Sequence, residues 1–170
     1  GPAGTIEELT TEQLKDYRLE GTEETIPTFQ ELLDLYDGKA PLIVELKPVD
    51  GNHAKLAETA CEMLKDYPGV YCMESFDPRC IHHLRKNHPQ VIRGQLAENF
   101  FKTKVSLTWS QKLCMTCQLA NFLTQPDFVA YRYSDRRSTL SNRICMKRMT
   151  GVTWTVLNQE EFDTAVKEGW

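Results

Sequence analysis

Glu45 and Lys47 carry the first chemical signal in this chain, within the run Pro41-Leu42-Ile43-Val44-Glu45-Leu46-Lys47-Pro48. The run is short, apolar and β-branched with a proline at each end, which predicts a buried strand over 42–46. Side chains two apart on a strand share a face, so Glu45 and Lys47 point one way and Leu42, Val44 and Leu46 the other. A carboxylate and an ammonium at the carboxyl end of an apolar strand cost free energy unless they pair with each other or hold something. Two readings follow. One is an ion pair at the rim of the core. The other is a ligand site, because in α/β proteins that end of the strand is where ligands bind.

The six cysteines carry a weaker signal. Cys72 falls in a strand pattern, and Cys61 and Cys114 in helical ones. A chain of 170 residues with such a core needs no disulfide staples, so the expectation is reduced thiols and a cytoplasmic setting. Cys114-Met-Thr-Cys117 is a lone CxxC with no second pair and no histidine at zinc spacing, and it reads as core packing.

The elements that must position these groups alternate along the chain. Thr10 with Gln13 makes a capping-box pattern over a short helix, 11–17, and Thr28 with Glu31 a second one, with Ile26 before the cap and Gly38 stopping the helix after Tyr36. After the 42–46 strand, Asn52 opens a helix of about fifteen residues with Leu56, Ala60, Met63 and Leu64 on one face. A second strand spans 70–75. Asp77-Pro78 starts a helix running to Asn87. A third strand spans 91–96, a helix 110–123, a fourth strand 128–133, a short helix 141–149 and a fifth strand 153–157. Asn158, with Glu161 at N3, caps the last helix. This strand–helix alternation implies a parallel sheet with right-handed crossovers. Five strands are too few for a closed eight-stranded barrel, so the pattern allows an open doubly wound sheet or a piece of a barrel.

Length places the chain in a single domain, 1–170, with Gly1-Pro2 reading as a protease-cleavage scar. The net charge of −4, with basic residues scattered, excludes a nucleic-acid footprint. No apolar run approaches the ~20 residues of a membrane span.

Taken together, Ile26-Pro27-Thr28-Phe29 before a helix, Val44-Glu45-Leu46-Lys47, Glu74-Ser75-Phe76-Asp77 and Val152-Thr153-Trp154-Thr155-Val156 resemble, in order and spacing, the glycerophosphodiester phosphodiesterase family. Its fold is the phosphatidylinositol-phosphodiesterase-like TIM (βα)8 barrel. The resemblance covers nearly the whole chain and implies an incomplete barrel of about five parallel strands, with the Glu45 strand matching barrel strand three and the Trp154 strand matching strand seven. The family's His-Arg-Gly, its Glu-x-Asp and its second catalytic His are missing here. The chain therefore resembles a fragment cut at both ends.

The resemblance implies a phosphoric diester hydrolase that converts glycerophosphodiesters to glycerol 3-phosphate and an alcohol, with a divalent cation, calcium or magnesium, as cofactor. It carries Glu45 over as a metal ligand and Lys47 as the catalytic cation facing the phosphate. Hard cations take carboxylate oxygens, and a phosphate developing charge is stabilised by metal and ammonium donors. Trp154 would line the substrate pocket and Phe76 its rim, with plain core packing as the alternative for both. Arg93 is a candidate phosphate contact and Arg132 a weaker one. His53 lies nearest Lys47, whereas His82, His83 and His88 sit on the helix after the second strand. The competing readings are a catalytically incomplete fragment, a non-enzymatic domain that binds phosphate esters or self-assembles, and an open five-stranded domain of unknown ligand. Unpaired strand edges further imply a homodimer or the need for a complementary fragment.

Overall fold

The capping residues marked in the sequence do cap. In the computed structural model, which describes residues 6–49, 51–140, 144 and 148–170, Thr10 and Thr28 each accept a hydrogen bond from the backbone N–H three residues on, and Gln13 and Glu31 reciprocate. These boxes open α1 (Thr11–Leu14) and α2 (Phe29–Tyr36). The first helix is shorter than the expected 11–17. Asp37 and Gly38, at φ of 43° and 72°, turn the chain out of α2. The described chain divides into two compact units. One holds the chain up to Leu42 with Ala60–Val70; the other holds Ile43–Thr59 and Tyr71–Trp170.

Five strands form one sheet: β1 (Leu42–Glu45), β2 (Tyr71–Ser75), β3 (Arg93–Ala97), β4 (Phe128–Arg132) and β5 (Thr150–Trp154). β2 to β5 pair in parallel, one after the next. β1 joins β2 through Leu42 N to Val70 O and Leu46 N to Glu74 O, a pairing that advances in the same direction on both strands and is therefore also parallel. The spatial order is the chain order, β1-β2-β3-β4-β5. A doubly wound sheet reverses its order at a switch point. This one never does, and it is the run of a βα-barrel wall, not closed by these five strands.

Between the strands lie α3 (His53–Leu64), α4 (Pro78–Asn87), α5 (Trp109–Thr116) and α6 (Asn121–Thr124), with α7 (Gln159–Lys167) after β5. Asp77 caps α4 by accepting from Arg79 N at 2.8 Å, and Asn158 caps α7 by accepting from Glu161 N at 2.9 Å. One sheet face carries Leu96, Phe128 and Ala130, with Cys72, Phe76 and Trp154 packed against them. The other buries Met73 and Ser75 completely, and α4 packs on β2 and β3. β3 is buried at every position. Gly94 is obligatory there, because a Cβ at that position would fall 2.2 Å from the Phe128 ring.

Three expectations change. β1 is not a buried strand: Ile43 is 66% exposed and the Glu45 face stays open to solvent. The single helix over 110–123 is broken, with Gln118 at φ 55° between α5 and α6. Thr116 at the break accepts from Phe100 N through its hydroxyl and from the Tyr131 hydroxyl through its carbonyl, so a tertiary partner takes the carbonyl that a continuous helix would use. β5 begins at 150, not 153. Thr150 pairs with Phe128 and Trp154 with Arg132, and ladder pairing outweighs the poor strand propensity of Gly151. The helix expected over 141–149 falls largely outside the described residues.

Candidate active site at the strand ends

Parallel strands in chain order bring their carboxyl ends to one edge of the sheet. Glu45 closes β1, Glu74 and Ser75 close β2, Glu98 follows β3, Arg132 closes β4 and Trp154 closes β5. All lie in the second unit. The edge is held by a buried relay: Ser75 Oγ donates to Leu46 O at 2.6 Å, and Gln95 Nε2 donates to Ser75 O and Phe76 O at 3.0 and 3.1 Å.

Lys47 Nζ lies 3.4 Å from Glu45 Oε2, so the two residues picked out by spacing do meet. Lys47 is 78% exposed and Glu45 only 31%. The pair is too open to stabilise the fold appreciably, and both charges remain available to a ligand. Both line a cavity of about 570 Å³ with Ser75, Phe76, Asp77 and Arg79. Asp77 and Arg79 neutralise each other at 2.7 Å. Burial works against ionisation of Asp77, but the hydrogen bonds and charge of Arg79 outweigh it and hold that carboxyl below its usual range.

Glu74, which residue spacing alone did not single out, is the most perturbed carboxyl. Burial first, and the negative charge of Glu45 second, push it up to about 7. Two carboxyl groups on adjacent strand ends that repel each other form a donor set that a hard divalent cation would relieve. Without one, Glu74 can give or take a proton near neutrality.

Phe76 and Trp154 meet edge to face, centroids 5.6 Å apart, and Phe76 also meets Phe100 at 6.0 Å. Trp154 Nε1 donates to Ala130 O at 3.1 Å. Phe76 borders the cavity and Trp154 stands behind it. Arg132 lies over the Trp154 ring at 5.3 Å and is ion-paired to the buried Glu98. Glu74 carries a signal that could have been read: it is an acid breaking into a mostly apolar strand one residue before its end.

Arg93 is not brought to this edge. It opens β3 at the opposite end, and its guanidinium donates to the carbonyls of Pro89, Val91 and Gln125 and lies 3.5 Å from Asp127. It ties loops together. Arg93→Met should therefore cost about 2–4 kcal/mol of stability, since it strands buried acceptors. Denaturant titration would show the loss.

A parallel sheet wound in one direction, with acid, base and aromatic side chains at its carboxyl edge, is the wall and rim of a βα-barrel. Among solved structures the fold matches a phosphodiesterase from Oleispira antarctica in complex with the product sn-glycerol-3-phosphate (TM-score 0.66, 17% identity, 85% of this chain and 55% of that one). It also matches a glycerophosphodiester phosphodiesterase from Parabacteroides distasonis (TM-score 0.68, 16% identity, 96% of this chain and 65% of that one). The chain thus spans somewhat over half the length of these structures. The resemblance carried by the sequence motifs is met in three dimensions as a shared fold. No family model and no curated protein matches the sequence. Among the described residues no helix is long and apolar enough to cross a membrane.

Proposed function

We propose that this chain supplies the phosphate- and cation-binding wall of a glycerophosphodiester phosphodiesterase, a phosphoric diester hydrolase releasing glycerol 3-phosphate. The observation that carries the reading is the Glu45–Lys47 pair at a cavity on the sheet's carboxyl edge, beside a second, mutually repelled carboxyl. Glu45, joined by Glu74, would hold a calcium or magnesium ion. Such an ion, when bound, would supply charge neutralisation to the phosphate. Lys47 projects its ammonium to a second phosphate oxygen, and Phe76, backed by Trp154, shields the glycerol carbons from water. The same residues equally suit a domain that binds a phosphate ester without cleaving it.

The test is calorimetric binding of glycerol 3-phosphate with magnesium or calcium present, against a chelator control. Binding should need the cation, and Lys47→Ala and Glu45→Ala should each weaken it at least tenfold. Binding indifferent to chelator and to both substitutions would overturn the reading. Release of glycerol 3-phosphate from glycerophosphocholine separates the hydrolase from the binding domain.

Among the described strands, β1 and β5 each pair on one side only. We propose that these edges pair with a second copy, so light scattering at high concentration should give a dimer mass; a clean monomer would count against it.

A further inference from the structure

On the helical layer, away from the strand-end carboxylates, two imidazoles converge on one carboxylate. His83 Nε2 lies 2.6 Å from Glu58 Oε1 and His88 Nε2 lies 2.9 Å from Glu58 Oε2. Among the described residues this is the one group of three His, Cys, Asp or Glu side chains whose ligand atoms all lie within 4.8 Å of one another. We infer that Glu58, His83 and His88 form a binding site for a zinc ion, or a similar transition-metal dication, that clamps α3 to α4.

The convergence depends on how α4 ends. Residues five apart on a continuous helix point about 140° from each other. His88, however, is the C-cap, at φ −132° and ψ 58°, and this non-helical residue turns its ring back toward that of His83. The ring centroids lie 6.4 Å apart. Glu58 enters from α3 as the third donor. The side chains of His83 and His88 are 19% and 21% exposed and that of Glu58 50%. The nitrogens are therefore sheltered, while the carboxylate side stays open to an entering ion and its water.

The donor set chooses the metal. Two imidazoles and one carboxylate are borderline ligands that suit zinc in tetrahedral geometry with water in the fourth place, whereas calcium and magnesium prefer oxygen throughout. The site is therefore chemically distinct from the Glu45–Glu74 pair. Zinc at its usual bond lengths sets ligand atoms about 3.3 Å apart, so the present contacts need open only by several tenths of an ångström. Asn87 Nδ2 lies 3.2 Å from both ring nitrogens of His83 and donates to the His83 carbonyl at 3.2 Å, so it covers the ring face and leaves Nε2 open toward Glu58.

The experiment is titration of the metal-stripped chain with zinc by calorimetry, and with cobalt(II) followed by visible absorption. One zinc per chain should bind with a dissociation constant of about 1 μM or tighter, and cobalt should show intense tetrahedral bands. Glu58→Gln, His83→Asn and His88→Asn should each weaken zinc at least tenfold, while Glu45→Gln should leave it unchanged. Should a histidine variant fail to fold, long-range ¹H–¹⁵N spectra of the wild-type rings with and without zinc read the same contact. No zinc binding, binding that survives all three substitutions, ring nitrogens unmoved by zinc, or loss on Glu45→Gln would each overturn the inference and leave a hydrogen-bonded helix clamp only.

Discussion

Glu45→Gln should weaken divalent-cation binding at the strand ends by roughly 100-fold and lower the titration midpoint of Glu74 at the same time. The two effects have one cause. Glu45 is a carboxylate set at the end of β1 where its neighbour across the pairing, Glu74, feels its charge. Removing a donor carboxylate deprives a hard cation of an anionic ligand; even changes to groups that only orient a metal ligand cost 10–100-fold. Removing the negative charge also relieves Glu74, so its carboxyl ionises more readily and its midpoint falls from about 7. It should stop short of the ordinary value of 4.5, because burial is the larger cause and burial remains. Magnesium titration by calorimetry and ¹³C-detected titration of the Glu74 carboxyl read the two arms. Unchanged magnesium affinity would remove Glu45 from the cation site, and an unmoved Glu74 midpoint would show that the two carboxylates do not interact.

Glu74→Gln should stabilise the fold at pH 8 and do nothing at pH 4. The Glu74 carboxyl titrates at about 7 in the folded chain against 4.5 as the ordinary value. Below the ordinary value both states hold the proton and the substitution is neutral. Between 4.5 and 7 the unfolded chain releases its proton first and binds fewer protons than the folded one, so stability falls as pH rises; above 7 the penalty is complete. The full shift would correspond to about 3.4 kcal/mol. Glu74 is only half-buried, and solvent screening reduces this to roughly 1–2 kcal/mol, or a few degrees in Tm for a domain of this size. The variant should have a flatter stability profile than wild type from pH 5 to 8, measured by denaturant unfolding. Magnesium or calcium should raise wild-type stability at pH 8 more than that of the variant. A parallel pair of profiles would show that Glu74 ionises normally.

These two carboxylates also mark where sequence reading reaches its limit. Glu45 and Lys47 were legible because period two puts them on one face of one short strand, a relation confined to three consecutive residues. The helix starts at Thr10, Thr28, Asp77 and Asn158 were legible for the same reason, since a cap joins a side chain to a backbone N–H two or three residues away. The ordered motifs from Ile26 to Val156 carried the barrel only through the family they resemble, since strand–helix alternation alone left a doubly wound sheet and a piece of a barrel both open.

What the tertiary structure alone decided is long-range. The strand order distinguishes a barrel wall from a doubly wound sheet, and it follows from which strands pair across twenty to forty residues. The register of β4 on β5 moved the start of the fifth strand, and Tyr131 and Phe100 reaching Thr116 broke a helix whose local pattern was continuous. Pairing of β1 with β2 brought Glu74 under the charge of Glu45, and placement at the opening of β3 turned Arg93 from a candidate phosphate contact into a tie among loops. His83 and His88 were two histidines of one helix in the sequence, and Glu58 carried no signal there. Only the placement of Glu58 beside that helix, and the turn of the chain at His88, point their ligand atoms at one another. Local geometry is set by bonded neighbours and can be read one residue at a time. The distance between charges on different elements is set by packing, and no spacing in the sequence records it.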